Sequence, residues 1–193
     1  MRIAMRLVGA ALAVALVSGA GAQPAFWSGD LDAASPTFQR PLQDGSGLSA
    51  VGTAVRYHVQ PFYVGTTGSY VFEMGQLVGS PSLFDPFIVV YADGFDPTDG
   101  LLNFHAGNDD FSGAFTVLNP DAAYETGSLR RSRLTTGLVE GTQYYAINTA
   151  FGNGAGGPFD AAIGGDGRVI LGIIPEPASA LLLGLGLLVI RRR

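Results

Sequence analysis

An antiparallel β-sandwich between two apolar ends is the fold class this sequence predicts, and three observations predict it. Apolar and polar residues alternate with period two through the middle of the chain. Glycine, aspartate and proline clusters punctuate that alternation at short intervals. Outside the two ends no segment sustains a helical period, so an all-β body with an N-terminal signal helix and a C-terminal hydrophobic helix is expected.

The 193 residues divide into four expected segments: 1–22 a signal peptide, 23–49 an N-terminal arm, 50–174 the β domain and 175–193 a membrane-directed tail. Arg2 and Arg6 precede an apolar run over residues 7–17, followed by Ser18, Gly19, Ala20, Gly21 and Ala22. This is the charged, apolar and small-residue order of a secretory signal peptide. Ala20 and Ala22 supply the small pair a signal peptidase accepts, which places the mature start at Gln23 and implies the Sec export machinery as a partner. Residues 23–49 are small, polar and proline-bearing, with at most one edge strand near residues 37–40.

Within the body, Val55, Tyr57 and Val59 alternate with Arg56, His58 and Gln60, which reads as a strand burying the first set and solvating the second. The turn over residues 65–68 then predicts a hairpin partner over residues 69–74. Further strands are expected over residues 87–91, 101–104, 114–118 and 143–150. A last pair is expected over residues 159–163 and 168–171, joined across Gly164-Gly165-Asp166-Gly167. The candidate core is Val55, Tyr57, Val59, Val71, Ile88, Val90 and Ile147.

Composition excludes several function classes. Cysteine and lysine are absent and only His58 and His105 are histidines, so disulfides, thiolate chemistry and histidine-rich metal sites do not arise. Residues 23–174 hold six arginines against fifteen acids, a net charge of −9 that repels phosphate backbones. A nucleic-acid partner is therefore excluded, while cations and neutral glycans suit the surface. No Gly-x-Ser-x-Gly elbow occurs, no glutamates pair, and the glycines at 152–157 lack a following lysine or helix, so no catalytic constellation is expected.

Asp93, Asp96, Asp99, Asn108, Asp109 and Asp110 group hard oxygen ligands on predicted loops, the donor type Ca²⁺ takes. Their spacing is not that of an EF-hand, and aspartate is also an ordinary turn former. Both readings, bound calcium or turn chemistry, stay open. Arg130, Arg131 and Arg133 form the basic cluster of the body and are expected to keep an edge strand from pairing with other chains. Trp27, Phe26 and the tyrosines are residue types that stack sugars, but Trp27 falls in the arm and Tyr57, Tyr145 and Phe72 fit the core register, so an aromatic sugar platform is not claimed from sequence.

At the far end, Pro175-Glu176-Pro177 holds the backbone extended, the apolar stretch 181–190 is broken by Gly184 and Gly186, and Arg191, Arg192 and Arg193 close the chain as a membrane-anchor stop. This tail resembles the PEP-CTERM sorting signal of exosortase-processed bacterial surface proteins. The resemblance implies a transient anchor in the inner membrane and recognition by an exosortase-type membrane protease. It also implies an exopolysaccharide-producing Gram-negative host, and retention at the cell surface or release. The thirteen residues 178–190 fall short of the ~17 to 25 a spanning helix needs. The body segments Phe84-Asp85-Pro86-Phe87, Gly94-Phe95-Asp96-Pro97 and Gly141-Thr142-Gln143-Tyr144-Tyr145 are similar to exported jelly-roll domains and to pre-peptidase C-terminal domains. That likeness implies a jelly-roll-like, non-catalytic accessory or binding module. The alternative is a secreted carbohydrate-binding module or hydrolase with a weakly encoded site.

Overall fold

The computed structural model describes residues 22–119 and 122–175. The expected signal helix, with Ala20, and the expected C-terminal hydrophobic helix with its flanking Glu176, Pro177, Arg191, Arg192 and Arg193 fall outside the described residues. Among the described residues no helix is long and apolar enough to cross a membrane. All ten strands pair antiparallel, so the all-β expectation holds.

In chain order the strands are β1 (Ala25–Asp30), β2 (Thr37–Phe38), β3 (Val55–Val64), β4 (Gly68–Gly75) and β5 (Pro86–Ala92). They continue as β6 (Phe104–Asn108), β7 (Arg131–Leu138), β8 (Tyr144–Ala150), β9 (Pro158–Gly165) and β10 (Val169–Leu171). One sheet runs β1-β9-β4-β7. The other runs β10-β3-β8-β5-β6, with β2 also on β3. Tyr70, Phe72, Met74, Phe159, Ala161 and Ile163 of the first sheet face Phe62, Val64, Ile88, Val90, Tyr144 and Ala146 of the second across one shared apolar core. Burial of this kind is worth about 25 cal/mol per Å² of apolar surface, which lets a domain of this size hold together without disulfides.

The larger sheet is covered on both faces. Its outer face carries Val55, Phe87, Val89, Tyr91 and Ile147, capped by Phe38 and Phe95 from the segments that cross it. Phe38, Tyr57 and Phe95 pack edge to face with centroids 5.2 to 5.5 Å apart. Residues at 87–91 therefore read as an unbroken apolar run, because alternate side chains serve two cores. The candidate core divides accordingly: Ile88 and Val90 lie between the sheets, Val55 and Ile147 beneath the arm, with Tyr57 and Val59 half-buried beside them. Val71 is an exception, half-buried and on the register opposite to the inward Tyr70, Phe72 and Met74.

Several expectations are corrected. The turn over residues 65–68 does not close a hairpin: β3 pairs with β2, β8 and β10, and β4 with β7 and β9. Phe62 and Phe72 meet edge to face across the core, 5.6 Å apart, so the chain changes sheets at this turn. Likewise β9 and β10 are not partners. Period two reports which face a residue takes and not which strand lies beside it. Residues 114–118 form no strand, because the amides of Thr116, Val117 and Leu118 donate to the buried Glu73 carboxylate. Residues 101–103 are a turn, in which Asp99 accepts from the amides of Leu101 and Leu102, and β6 opens at Phe104. The arm contributes β2 as expected, and also β1, whose full length pairs with β9.

Candidate metal centre and aromatic cleft

The six loop residues do not converge. Asp93, Asp96 and Asp99 lie in the connection that leaves β5 and enters β6 at the Tyr91–Phe104 pair, whereas Asn108, Asp109 and Asp110 lie at and beyond the opposite end of β6. The first group shapes turns. Asp96 Oδ1 accepts from Thr98 N at 2.8 Å and Thr98 Oγ1 at 2.7 Å, Asp99 accepts from the next turn, and Asp93 sits at φ 64°. Asn108 Nδ2 donates to the carbonyls of Arg133 and Asp110.

Asp109 and Asp110 instead meet Asp85, with one carboxylate oxygen of each within 4.8 Å of the others. The antiparallel pairing of β5 and β6 brings them together: Asp85 precedes β5, and Asp109 follows its partner. Asp85 Oδ1 and Asp109 Oδ1 are shut off from solvent and have no hydrogen-bond partner among the described residues. Burial, with the neighbouring carboxylates of Asp85 and Asp110, pushes the Asp109 carboxyl up to about 6. Burial and Asp110 also raise Asp85, against Arg130 and Arg40, which lower it.

Arg40 is the buried cation of this corner, 2% exposed. Its Nε donates to the Phe151 carbonyl at 3.0 Å, and its guanidinium lies 4.2 Å over Phe87 and 4.7 Å over Phe151. Held on carbonyls and ring faces, it offsets the acids from a distance. A cleft of about 510 Å³ lined by Arg40, Asp44, Phe87 and Asp109 opens beside the triad. Three hard carboxylates, two of them holding orphaned oxygens, fit Ca²⁺ better than a soft metal.

The outer face of the smaller sheet carries a second feature. Phe159, Ala161 and Ile163 of β9 point into the core, so Asp160 and Ala162 point out. Phe26 stands opposite Ala162 and Ser28 opposite Asp160, which puts all four on one face. Residues 111–119 and 122–125 wall this face, anchored by Glu73 below and by Arg131, whose guanidinium donates to the carbonyls of Glu125, Gly113 and Tyr124. The result is a cleft of about 570 Å³ lined by Phe26, Ser28, Leu77, Asn119, Tyr124 and Asp160 among others. Sequence reasoning missed it because Phe26 belongs to a strand read as arm, and because the wall closes only in three dimensions.

The basic cluster does stand on or beside an edge strand, β7. In addition Arg131 clamps the wall, and Arg133 approaches Glu73 at 3.6 Å and lies 5.0 Å over Phe111. His58 is not solvated: it is half-buried, its ring meets Phe159 at 5.7 Å, and burial lowers its pKa. His105 contacts the Gly137 carbonyl at 2.8 Å and Thr136 Oγ1 at 3.2 Å. Of the residues expected at the two processing points, Ala22 and Gln23 are exposed ahead of β1, and Pro175 is exposed after β10.

No family model and no curated protein sequence matches this chain. Among solved structures, the chain is similar to the K3 cleaved adhesin domain of Lys-gingipain from Porphyromonas gingivalis W83. The identity is 16%, covering 77% of this chain and 91% of that one, with a TM-score of 0.32.

Proposed function

We propose that this chain is a non-catalytic exported protein of a bacterial surface or extracellular matrix, trimmed after Ala22 and held transiently in the inner membrane by its tail. An exosortase-type protease then acts at Pro175-Glu176-Pro177. The observation that carries this reading is where the folded body stops at each end. β1 opens at Ala25, three residues after Ala22, and β10 closes at Leu171, four residues before Pro175. Every buried apolar side chain among the described residues lies from Leu31 to Val169, so both processing points flank the core without drawing on it. The strand orders β1-β9-β4-β7 and β3-β8-β5-β6 support a jelly-roll sandwich as the body. Fractionation tests the reading: Glu176→Ala is expected to leave export intact and trap the protein in the inner membrane fraction, while deletion of residues 175–193 releases it soluble. Unchanged fractionation of both variants overturns it.

The orphaned oxygens of Asp85 and Asp109 favour a second element of the proposal, a calcium ion at Asp85, Asp109 and Asp110 that ties the β5 and β6 ends together. Thermal melting with and without calcium tests it.

A further inference from the structure

The cleft between β1, β9 and the wall formed by Leu118, Asn119, Ala122 and Tyr124 has the make-up of a small-ligand site. Its volume of about 570 Å³ lies within the range of such sites, and it joins apolar surface to a few polar groups. Phe26 offers a ring that is 50% exposed and is held in the cleft by a fully paired strand. Beside it lies the Asp160 carboxylate, one oxygen of which accepts the Tyr124 hydroxyl at 3.1 Å. A carboxylate has about four acceptor positions, so that contact orients Asp160 and leaves it able to accept from a ligand. The floor is rigid sheet, which keeps ring and carboxylate in fixed relation.

The charges choose among ligands. The lining includes an acid and neither Lys nor Arg, and the body carries −9, so an anionic polymer is disfavoured. A ligand that pairs an apolar face with a ring of hydroxyl donors satisfies both halves of the cleft at once. We propose that this cleft binds a neutral saccharide, one sugar ring lying on Phe26 with its hydroxyls donated to Asp160. This inference is independent of the export and sorting reading, which concerns the two ends of the chain.

Binding is read by isothermal titration calorimetry, because the indole of Trp27, the single tryptophan, turns into the core and away from the cleft. Full-length protein in a zwitterionic detergent, which carries no sugar headgroup, is titrated with cellotetraose, chitotetraose, mannotetraose and the anionic tetragalacturonate. A saturable heat of binding is expected with at least one neutral tetrasaccharide and none with tetragalacturonate. Phe26→Ala and Asp160→Asn are each expected to weaken binding about tenfold, the loss of one ring contact or one charge-assisted hydrogen bond, with unchanged far-UV circular dichroism. Phe26→Tyr is expected to retain binding. Silence toward all three neutral sugars, preference for tetragalacturonate, or affinity indifferent to Phe26→Ala and Asp160→Asn overturns the proposal.

Discussion

The indole of Trp27 on β1 donates to the amide oxygen of Asn148 on β8 at 2.8 Å, a hydrogen bond that crosses from one sheet to the other. Asn148 is 1% exposed, so nothing but Trp27 reaches that oxygen from solvent. Trp27→Phe leaves the acceptor buried and unpaired and is expected to cost about 1 to 3 kcal/mol in urea unfolding. A double-mutant cycle with Asn148→Ala is expected to show coupling, because the penalty vanishes once the amide is gone.

Glu73 is fully buried, and its carboxylate accepts from the amides of Thr116, Val117 and Leu118 at 2.7 to 2.8 Å. Glu73→Gln replaces one acceptor oxygen by a donor that faces donors. The expected result is a loss of about 2 to 3 kcal/mol and faster hydrogen exchange over residues 111–119. Exchange unchanged in that segment would show that Glu73 does not hold the wall.

Asp109 and Asp85 both titrate above their ordinary range when folded, Asp109 at about 6. A folded-state pKa above the unfolded value means the folded protein binds more protons. Stability from these groups is therefore full below about pH 4 and lost as pH rises through 6. The calcium-free protein is expected to lose melting temperature across that window, and Asp109→Asn to flatten the loss. At pH 7, calcium at a hundredfold excess over Kd is expected to restore about 2.7 kcal/mol, and Asp85→Asn with Asp109→Asn to abolish the gain. Differential scanning calorimetry with calcium and with chelator makes the measurement. Curves that superimpose would remove calcium from the proposed function.

Gly100 sits where the β5–β6 connection passes under residues 39–48. A Cβ there would collide with the Gln39 carbonyl and come within 3.2 Å of Leu48 Cδ2. The Gly100 carbonyl also accepts the buried Tyr91 hydroxyl at 2.8 Å, so the backbone cannot retreat freely. Gly100→Ala is expected to cost about 1 to 3 kcal/mol in thermal or urea unfolding, as overpacking does. Gly47→Ala, with open space around it, serves as the control and is expected to change little.

Residues 23–174 are expected to fold alone, β-rich and melting in one transition, since the buried apolar side chains of the described residues lie within them. Circular dichroism of that fragment checks it. A fragment that stays unfolded would mean that an end of the chain supplies part of the core.

The sequence by itself determined the strand-rich class and most strand positions, because side-chain alternation is a local property that any neighbouring strand satisfies. It also carried the acids and the turns they shape: Asp96 and Asp99 hold their own local backbone, as short aspartate side chains do. Only the tertiary structure decided who neighbours whom. The turn between β3 and β4 has hairpin chemistry, yet Phe62 and Phe72 face each other across two sheets, both fully buried in the core between them. The candidate sites followed from that choice. Asp85 meets Asp109 only through the antiparallel register of β5 and β6, and Phe26 shares a cleft with Asp160 and Tyr124 only because β1 joins β9 beneath the wall. Such contacts join residues tens of positions apart, and a period of two contains no information about that distance.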